Sequence, residues 1–259
     1  MSEPKLAINL YSVRALDAPL SEVLDRVADA GYDGVQFAGP YTPIDAADAP
    51  AAIADALADR DLEATRPHVG LEALRDDYET VYSAYDPFDV DGVVIPWLEE
   101  SRFESAVAVD EAATEVNALA DRLAAGGWDL QYHNHAHEYA ALDEAWAFDR
   151  FLENTSVGVE LDVGWALAGG DDPAQRIRDL GDRVRQVHLK DVTTTEPSGR
   201  AATDYNDVEF VAIGDGDVDV RACVDAAAAV DAEWLIYEHD APDDPGATIE
   251  HGAEFLRPC

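Results

Sequence analysis

The chain of 259 residues is long enough to form one large domain, and its hydrophobic content of 47% excludes a disordered chain. Its net charge of −38 is spread along the sequence, which argues against nucleic acid or anionic membranes as partners and indicates a protein from a salt-rich cytoplasm. No apolar run approaches the length of a membrane span, and the first residues do not form a signal peptide. The two cysteines, Cys223 and Cys259, exclude a disulfide framework. We therefore expect a cytoplasmic protein of a halophile.

Short β-rich segments alternate with longer segments of helical periodicity. In chain order, strands are predicted at residues 6–12, 34–38, 62–68, 92–97, 128–133, 157–163, 184–190 and 234–238. Helices are predicted between them, most clearly at 21–30, 51–58, 104–125 and 218–229. This alternation predicts an α/β protein with a single-domain (β/α)8 TIM barrel spanning residues 1–259. A doubly wound sheet is the alternative, but the turn after the first strand has no glycine.

Polar residues interrupt the predicted strands near their carboxyl ends, which is where barrel enzymes carry their active sites. Strand alternation puts Glu160 and Asp162 on one face of the sixth strand, and His188 and Lys190 on one face of the seventh. Glu238 ends the eighth strand. Carboxylates crowded at one mouth are costly unless they bind a cation or share protons. We therefore predict a site for one divalent metal ion there.

The predicted metal ligands are three carboxylates and one imidazole. Asp162, His188 and Glu238 each end a β-rich segment on successive strands, and Glu138, just past the fifth strand, is the predicted fourth ligand. The alternatives for the fourth position are Gln131, His135 and Glu160. This donor set favours Mn²⁺, with Mg²⁺, Co²⁺ or Zn²⁺ as alternatives.

Seven motifs resemble those of the xylose isomerase-like TIM barrels, often called sugar phosphate isomerases/epimerases. They are NLYSVR at 9–14, GYDGVQ at 31–36, YHNHAHE at 132–138, ELDVGW at 160–165, VHLKD at 187–191, GDG at 214–216 and YEHD at 237–240. The resemblance implies one divalent ion held by Glu, Asp, His and Glu from strands five to eight, which correspond to Glu138, Asp162, His188 and Glu238. Two positions depart from the pattern, because Gln131 and Gln36 stand where relatives carry Glu.

The resemblance and the residue types together imply enolisation chemistry. A metal-bound carbonyl acidifies the neighbouring C–H, so that a carboxylate can remove the proton. Glu138 and Glu238 are the predicted acid/base pair, and Lys190 is predicted to stabilise the enediolate.

Six further residues are predicted to face the substrate: Gln36, His68, Trp97, His133, His135 and Trp165. The Gln36 amide is expected to bind substrate hydroxyls, and for the histidines and tryptophans structural packing is the alternative. Beyond Arg14, Arg66 and Lys190 no basic pocket is evident, which favours a non-phosphorylated substrate.

The leading functional hypothesis is a metal-dependent isomerase or epimerase of a small-molecule sugar, keto-sugar or polyol. A lyase on the same scaffold, such as an inosose dehydratase-like enzyme or a 3-keto-glycoside lyase, is the second. A distant alternative is an apurinic endonuclease, for which the chain lacks a basic face and enough zinc ligands. A sugar-binding barrel without catalysis also remains open, and a homo-oligomer is compatible with the sequence.

Overall fold

The computed structural model describes residues 3–44, 49–142, 145–194 and 208–257, and at their centre stands a barrel of parallel strands. The strands β1–β8 are Lys5–Asn9, Gly34–Gln36, Glu63–Ala64, Gly92–Ile95, Asp129–His133, Gly158–Asp162, Val184–Leu189 and Trp234–Tyr237. All of them lie within the predicted strand segments except β1, which begins one residue earlier at Lys5, and the predicted (β/α)8 fold is confirmed.

The ring of strands is closed by pairing between its first and last members and by a bridge from residues 67–69, which follow β3, to β4. Strand β1 pairs with β8 through Lys5 opposite Trp234. Strand β3 is short because Pro67, which lacks an N–H, interrupts the predicted segment 62–68. Beyond Pro67, the backbone N–H of Val69 donates to the carbonyl of Val94 at 2.9 Å, which joins this segment to β4.

Helices surround the barrel. Those within the described ranges, α1–α10, are Leu20–Ala30, Pro50–Ala58, Leu71–Asp76, Tyr78–Tyr85, Ala106–Ala125, Ala147–Asn154, Val163–Ala168, Pro173–Leu180, Val220–Ala229 and Ala247–Leu256. The longest, α5, starts where the Ser105 hydroxyl accepts a hydrogen bond from the N–H of Ala108. None of the helices in the described part of the chain combines the length and the apolar character needed to cross a membrane.

The main hydrophobic core lies between the strands and the helices, not inside the barrel. Outward-facing strand residues such as Ile8, Val35 and Leu161 are fully buried in this layer. Among the described residues, the barrel interior holds a small separate apolar cluster of Ala7, Trp234 and Ile236. Many of the buried residues closer to the carboxyl ends of the strands are polar, among them Gln36, Glu160 and His188.

For the segment after β7, the sequence predicts a long irregular stretch at about residues 193–217, with a turn at residues 214–216. Its described part contains an antiparallel pair of short strands, Asp191–Thr194 with Val208–Val211. Residues 195–207, which belong to the same prediction, lie outside the described residues.

A single buried carboxylate anchors the return of this segment to the barrel. The side chain of Asp191 accepts hydrogen bonds from the backbone N–H groups of Val192, Gly214, Gly216 and Val218, at 2.8 to 3.1 Å. Gly214 adopts a left-handed φ of 96°, a conformation that favours glycine. The predicted turn at residues 214–216 is therefore held against the end of β7.

Candidate active site

A cavity of about 520 Å³ opens at the carboxyl ends of the barrel strands, as expected for this architecture. Its side-chain lining combines aromatic, imidazole and charged groups, among them Tyr11, His68, Trp97, His133, His135, Trp165, Lys190, Glu238 and Asp240. Tyr11 and Trp97 remain 37% and 40% exposed, which is unusual for aromatic side chains in this protein. Exposed rings beside buried charges suit a ligand with an apolar ring face and several hydroxyl groups.

Four donor groups meet at the base of this cavity, and their donor atoms all lie within 4.8 Å of one another: His133, Asp162, His188 and Glu238. The Nδ1 atom of His188 lies 2.9 Å from Glu238 Oε2 and 4.0 Å from Asp162 Oδ2. His133 Nε2 lies 3.9 Å from the same Asp162 oxygen. Around an octahedral ion with bonds of about 2.1 Å, donor atoms are about 3.0 Å apart when adjacent and about 4.2 Å apart when opposite. The spacing therefore fits a single divalent cation.

The hydrogen bonding of Asp162 also fits a role as a ligand of a cation. Its Oδ1 atom accepts a hydrogen bond from the backbone N–H of Trp165 at 2.8 Å, which fixes the carboxylate at the start of α7. Its Oδ2 atom is fully buried and accepts no hydrogen bond from the residues that the structure describes, although Lys190 Nζ lies 3.1 Å away. A buried carboxylate oxygen in this position is costly unless a cation approaches it.

Lys190 supplies the positive charge of the cavity and is surrounded by acidic groups. Its Nζ atom lies 3.1 Å from Asp162, 2.9 Å from Glu238 and 3.0 Å from Asp240. Burial alone would lower the pKa of Lys190, but these three carboxylates hold it well above its usual value. Burial raises the pKa of Asp240 to about 6 against the opposing effect of Lys190. Lys190 is therefore a cation that stays charged at neutral pH.

Glu138 differs from the expectation of a fourth ligand beside Asp162. Its carboxylate accepts hydrogen bonds from the Tyr132 hydroxyl at 2.5 Å and from the backbone N–H of His135 at 2.8 Å. Among the described residues, Glu138 belongs neither to the group of donor atoms named above nor to the second group that could share an ion, which consists of His68, His133, Glu160 and His188. Burial raises its pKa to about 7, with the Tyr132 hydrogen bond opposing the shift. Glu138 thus supports the turn that carries His135, and His133 stands in its predicted place beside Asp162.

Five of the six residues predicted to face the substrate line the cavity: His68, Trp97, His133, His135 and Trp165. The Trp97 ring packs against His135 with 4.6 Å between ring centroids, and Trp165 lies 5.3 Å from Lys190 Nζ. Gln36 differs, because it is fully buried and its amide bonds within the barrel. It does not reach the cavity as the predicted hydroxyl-binding group would.

The two arginines considered for a basic pocket are committed elsewhere. The Arg14 guanidinium donates to the carbonyl of Tyr11 at 2.9 Å and to that of Asp240. The Arg66 guanidinium points to the opposite end of the barrel, where it pairs with Asp91 and Glu233, each at 2.7 Å. Neither arginine therefore offers an open cationic site to a phosphate in the cavity.

Sequence reasoning missed two polar residues of this site. Asp240 follows the predicted ligand Glu238 by two residues and contacts Lys190. Gln186 precedes the predicted ligand His188 by two residues, and its amide donates to Glu160 at 2.5 Å. The alternation of strand side chains already indicated both residues, because each lies two positions from a predicted ligand on the same face.

Comparison with known proteins gives one family and several relatives. The family model described as xylose isomerase-like TIM barrel matches residues 24–259. The chain is 26% identical over 255 residues to the rhizopine catabolism protein MocC of Rhizobium meliloti, a match that covers 88% of this chain and 76% of that protein. It is 33% identical over 129 residues to the inosose dehydratase of Geobacillus kaustophilus (strain HTA426), covering 46% of this chain and 41% of that protein.

Solved structures give the same fold. A sugar phosphate isomerase/epimerase from Parabacteroides distasonis ATCC 8503 superimposes with a TM-score of 0.76 at 21% sequence identity, covering 99% of this chain and 94% of that one. At this level of identity the likeness supports the fold alone.

Proposed function

Because the chain belongs to the xylose isomerase-like TIM barrel family, we propose that it is a divalent-metal-dependent isomerase or epimerase of a small keto-sugar or polyol. The observation that carries this proposal is the convergence of His133, Asp162, His188 and Glu238 at the base of the cavity. We propose Mn²⁺ as the ion, because a mixed set of carboxylate and imidazole donors without thiolates suits it. Mg²⁺, Co²⁺ and Zn²⁺ are the alternatives that metal analysis distinguishes.

The chemistry supplied by a bound divalent ion is Lewis-acid polarisation of a substrate carbonyl and its neighbouring hydroxyl. Glu238 lines the cavity, so its carboxylate has access to the C–H next to that carbonyl and removes its proton. The Lys190 ammonium donates a hydrogen bond to the enediolate that forms. Asp240 lines the same cavity and takes the second proton-transfer role, for which Glu138 is too far inside the protein.

The outcome depends on where the proton returns. Return to the adjacent carbon gives isomerisation, and return to the opposite face of the same carbon gives epimerisation. Tyr11, Trp97 and Trp165 offer flat apolar surfaces against which a sugar or cyclitol ring can pack.

We further propose that the substrate carries no phosphate. Lys190 is already within 3.1 Å of three carboxylates, and the guanidinium groups of Arg14 and Arg66 have other partners. A phosphate dianion entering this cavity would meet the carboxylates of Glu238 and Asp240 without an uncommitted cation from any cavity-lining residue described. A neutral polyhydroxylated ketone avoids that repulsion.

A dehydratase acting on a keto-cyclitol is the second candidate. The 33% identity to an inosose dehydratase over 129 residues favours it, and that match is longer than any single motif. Elimination begins with the same proton removal and then needs an acid beside the leaving β-hydroxyl, a role that Asp240 could take. The two candidates differ in product, since only elimination gives an unsaturated ketone that absorbs in the ultraviolet.

The test combines metal analysis with solvent deuterium incorporation. The purified protein in molar salt is supplied with Mn²⁺ and a panel of keto-sugars and inososes in D₂O, while ultraviolet absorbance is followed. Deuterium in a recovered isomer or epimer supports the first candidate, and an absorbing product supports the second. Sugar binding that needs no metal and gives no exchange would indicate a binding protein instead.

The ligand assignment is tested by two matched substitutions of buried carboxylates. Asp162→Asn is expected to lose the bound ion, whereas Glu138→Gln is expected to retain it, as measured by Mn²⁺ titration of the folded proteins. A folded Asp162→Asn protein with a full metal complement would refute the assignment.

A further inference from the structure

Beneath the proposed metal site lies a fully buried layer of side-chain amides around the Glu160 carboxylate. The layer consists of Asn9, Gln36, Gln186 and Glu160, and every member is 0% exposed. Glu160 Oε1 faces three imidazoles, at 2.5 Å from His68 Nε2, 3.1 Å from His133 Nδ1 and 3.0 Å from His188 Nε2. Two of these imidazoles also belong to the proposed ligand set.

The direction of each hydrogen bond in this layer can be worked out from a backbone group that can only donate. The N–H of Tyr11 donates to Asn9 Oδ1 at 2.8 Å, so the other end of the Asn9 side chain is its amide NH₂ group. That group donates to Gln36 Oε1 at 2.7 Å. The Gln36 NH₂ group in turn donates to the carbonyl of Arg66 at 2.9 Å and to Glu160 Oε2 at 2.6 Å. The orientation of the Gln36 amide is therefore fixed.

This orientation determines the protonation of one ring nitrogen of His188. Gln36 Oε1 can only accept, and it lies 2.7 Å from His188 Nε2, so that nitrogen carries a hydrogen. The other nitrogen, Nδ1, lies 2.9 Å from Glu238 Oε2, which also can only accept, so Nδ1 carries a hydrogen as well until a metal ion takes that hydrogen's place.

A second backbone donor fixes Glu160 in the same way. The N–H of Arg66 donates to Gln186 Oε1 at 3.0 Å, and the Gln186 NH₂ group donates to Glu160 Oε2 at 2.5 Å. Two amide donors thus occupy Oε2, and Oε1 is left to accept from the imidazoles. For His133 this places the hydrogen on Nδ1 and leaves Nε2, which faces Asp162, as the free donor atom for a metal.

We propose that Glu160 is a positioning residue that holds the hydrogen of His133 on Nδ1 and so leaves His133 Nε2 free to bind the ion. The inference deepens the proposed function and rests on it for the ligand role of His133, but the tautomer itself is defined without it. Carboxylate partners of ligand imidazoles commonly change metal affinity by about 10- to 100-fold.

Glu160→Gln gives a directional test. The new amide oxygen must face the NH₂ groups of Gln36 and Gln186, so its own NH₂ group faces the imidazoles. The hydrogen of His133 then moves from Nδ1 to Nε2, where it blocks the metal site, while Gln36 Oε1 still holds the hydrogen of His188 on Nε2.

The experiment uses ¹⁵N imidazole NMR of the full chain at pH 7 without metal, followed by Mn²⁺ titration. In the wild type we expect His133 with hydrogen on Nδ1, and in Glu160→Gln on Nε2, with Mn²⁺ affinity lowered about 10- to 100-fold. Glu138→Gln, an isosteric change of another fully buried carboxylate, is the control and leaves both readouts unchanged.

The outcomes separate this inference from the proposed function. A wild-type His133 with hydrogen on Nε2, or a folded Glu160→Gln protein with the wild-type tautomer, would overturn the inference. The wild-type spectrum decides even if Glu160→Gln does not fold. A wild type that shows the expected tautomers but neither binds Mn²⁺ nor exchanges substrate protons would leave the positioning role intact and refute the proposed function.

Discussion

Replacing Lys190 with Met should destabilise the protein in a way that depends on metal. The ammonium lies about 3 Å from three carboxylates, and at an effective dielectric constant of about 20 each such contact is worth roughly 5 kcal/mol before desolvation. Desolvation offsets much of this, and removing one partner of a buried ion pair costs about 3–5 kcal/mol. We expect the free energy of unfolding without metal to fall by that amount.

A bound divalent ion should reduce this loss. Asp162 and Glu238 would then face the ion, and among the three carboxylates only Asp240 would lose its cationic partner. With saturating Mn²⁺ we expect the Lys190→Met protein to lose less than about 2 kcal/mol. Linkage then requires this variant to bind Mn²⁺ more tightly than the wild type, because the ammonium no longer competes for the carboxylates.

The assay is urea unfolding at fixed salt, with EDTA and with Mn²⁺, and the chain supplies its own control. Lys5, the other lysine, forms an exposed ion pair with Glu63, so Lys5→Met should change stability by no more than about 1 kcal/mol in either condition. Equal urea midpoints for Lys190→Met and Lys5→Met without metal would refute the charge argument.

Two further predictions concern pH and salt. Since the pKa of Glu138 is raised to about 7 in the folded protein, the native state holds a proton that the unfolded chain releases above about pH 4.5. The bound proton therefore adds to the free energy of unfolding below about pH 4.5, and this stabilisation, about 3 kcal/mol in total, is lost as the pH rises through 7. In urea unfolding followed from pH 5 to 8, Glu138→Gln should flatten this decline in the free energy of unfolding. The net charge of −38 predicts that the melting temperature rises between 0.1 M and 2 M KCl. Salt screens the repulsion between the acidic groups, because the Debye length shortens from about 10 Å to below 3 Å. An unchanged melting temperature would contradict the halophilic interpretation.

The sequence predicted the fold well because the signals for a barrel are local. Alternating β-rich and helical segments needed no knowledge of tertiary contacts, and the same period of two correctly grouped Glu160 with Asp162 and His188 with Lys190. The observed contacts among these side chains follow directly from strand register, in which Asp162 lies beside His188.

The positions that sequence reasoning did not anticipate lie beyond the strands or depend on amide orientation. Glu138 follows β5 in a short 3₁₀ turn, where alternation no longer determines direction, and the turn points its carboxylate toward Tyr132. Gln36 was expected to bind substrate hydroxyls, but its depth in the barrel could not be judged from a strand of three residues. Its role became visible only through the partners of Asn9 and Glu160.

The separation of the main hydrophobic core from the polar barrel interior has a consequence for how new activities could arise. Most of the apolar burial that stabilises the fold lies between strands and helices, whereas Ala7, Trp234 and Ile236 are the apolar cluster inside the ring. Exchanging the partly exposed side chains at the rim of the cavity, such as Tyr11 and Trp97, would therefore alter the contacts to a substrate while leaving the outer shell intact. At these rim positions, unlike at the buried Lys190, substrate preference can change with little effect on thermal resilience.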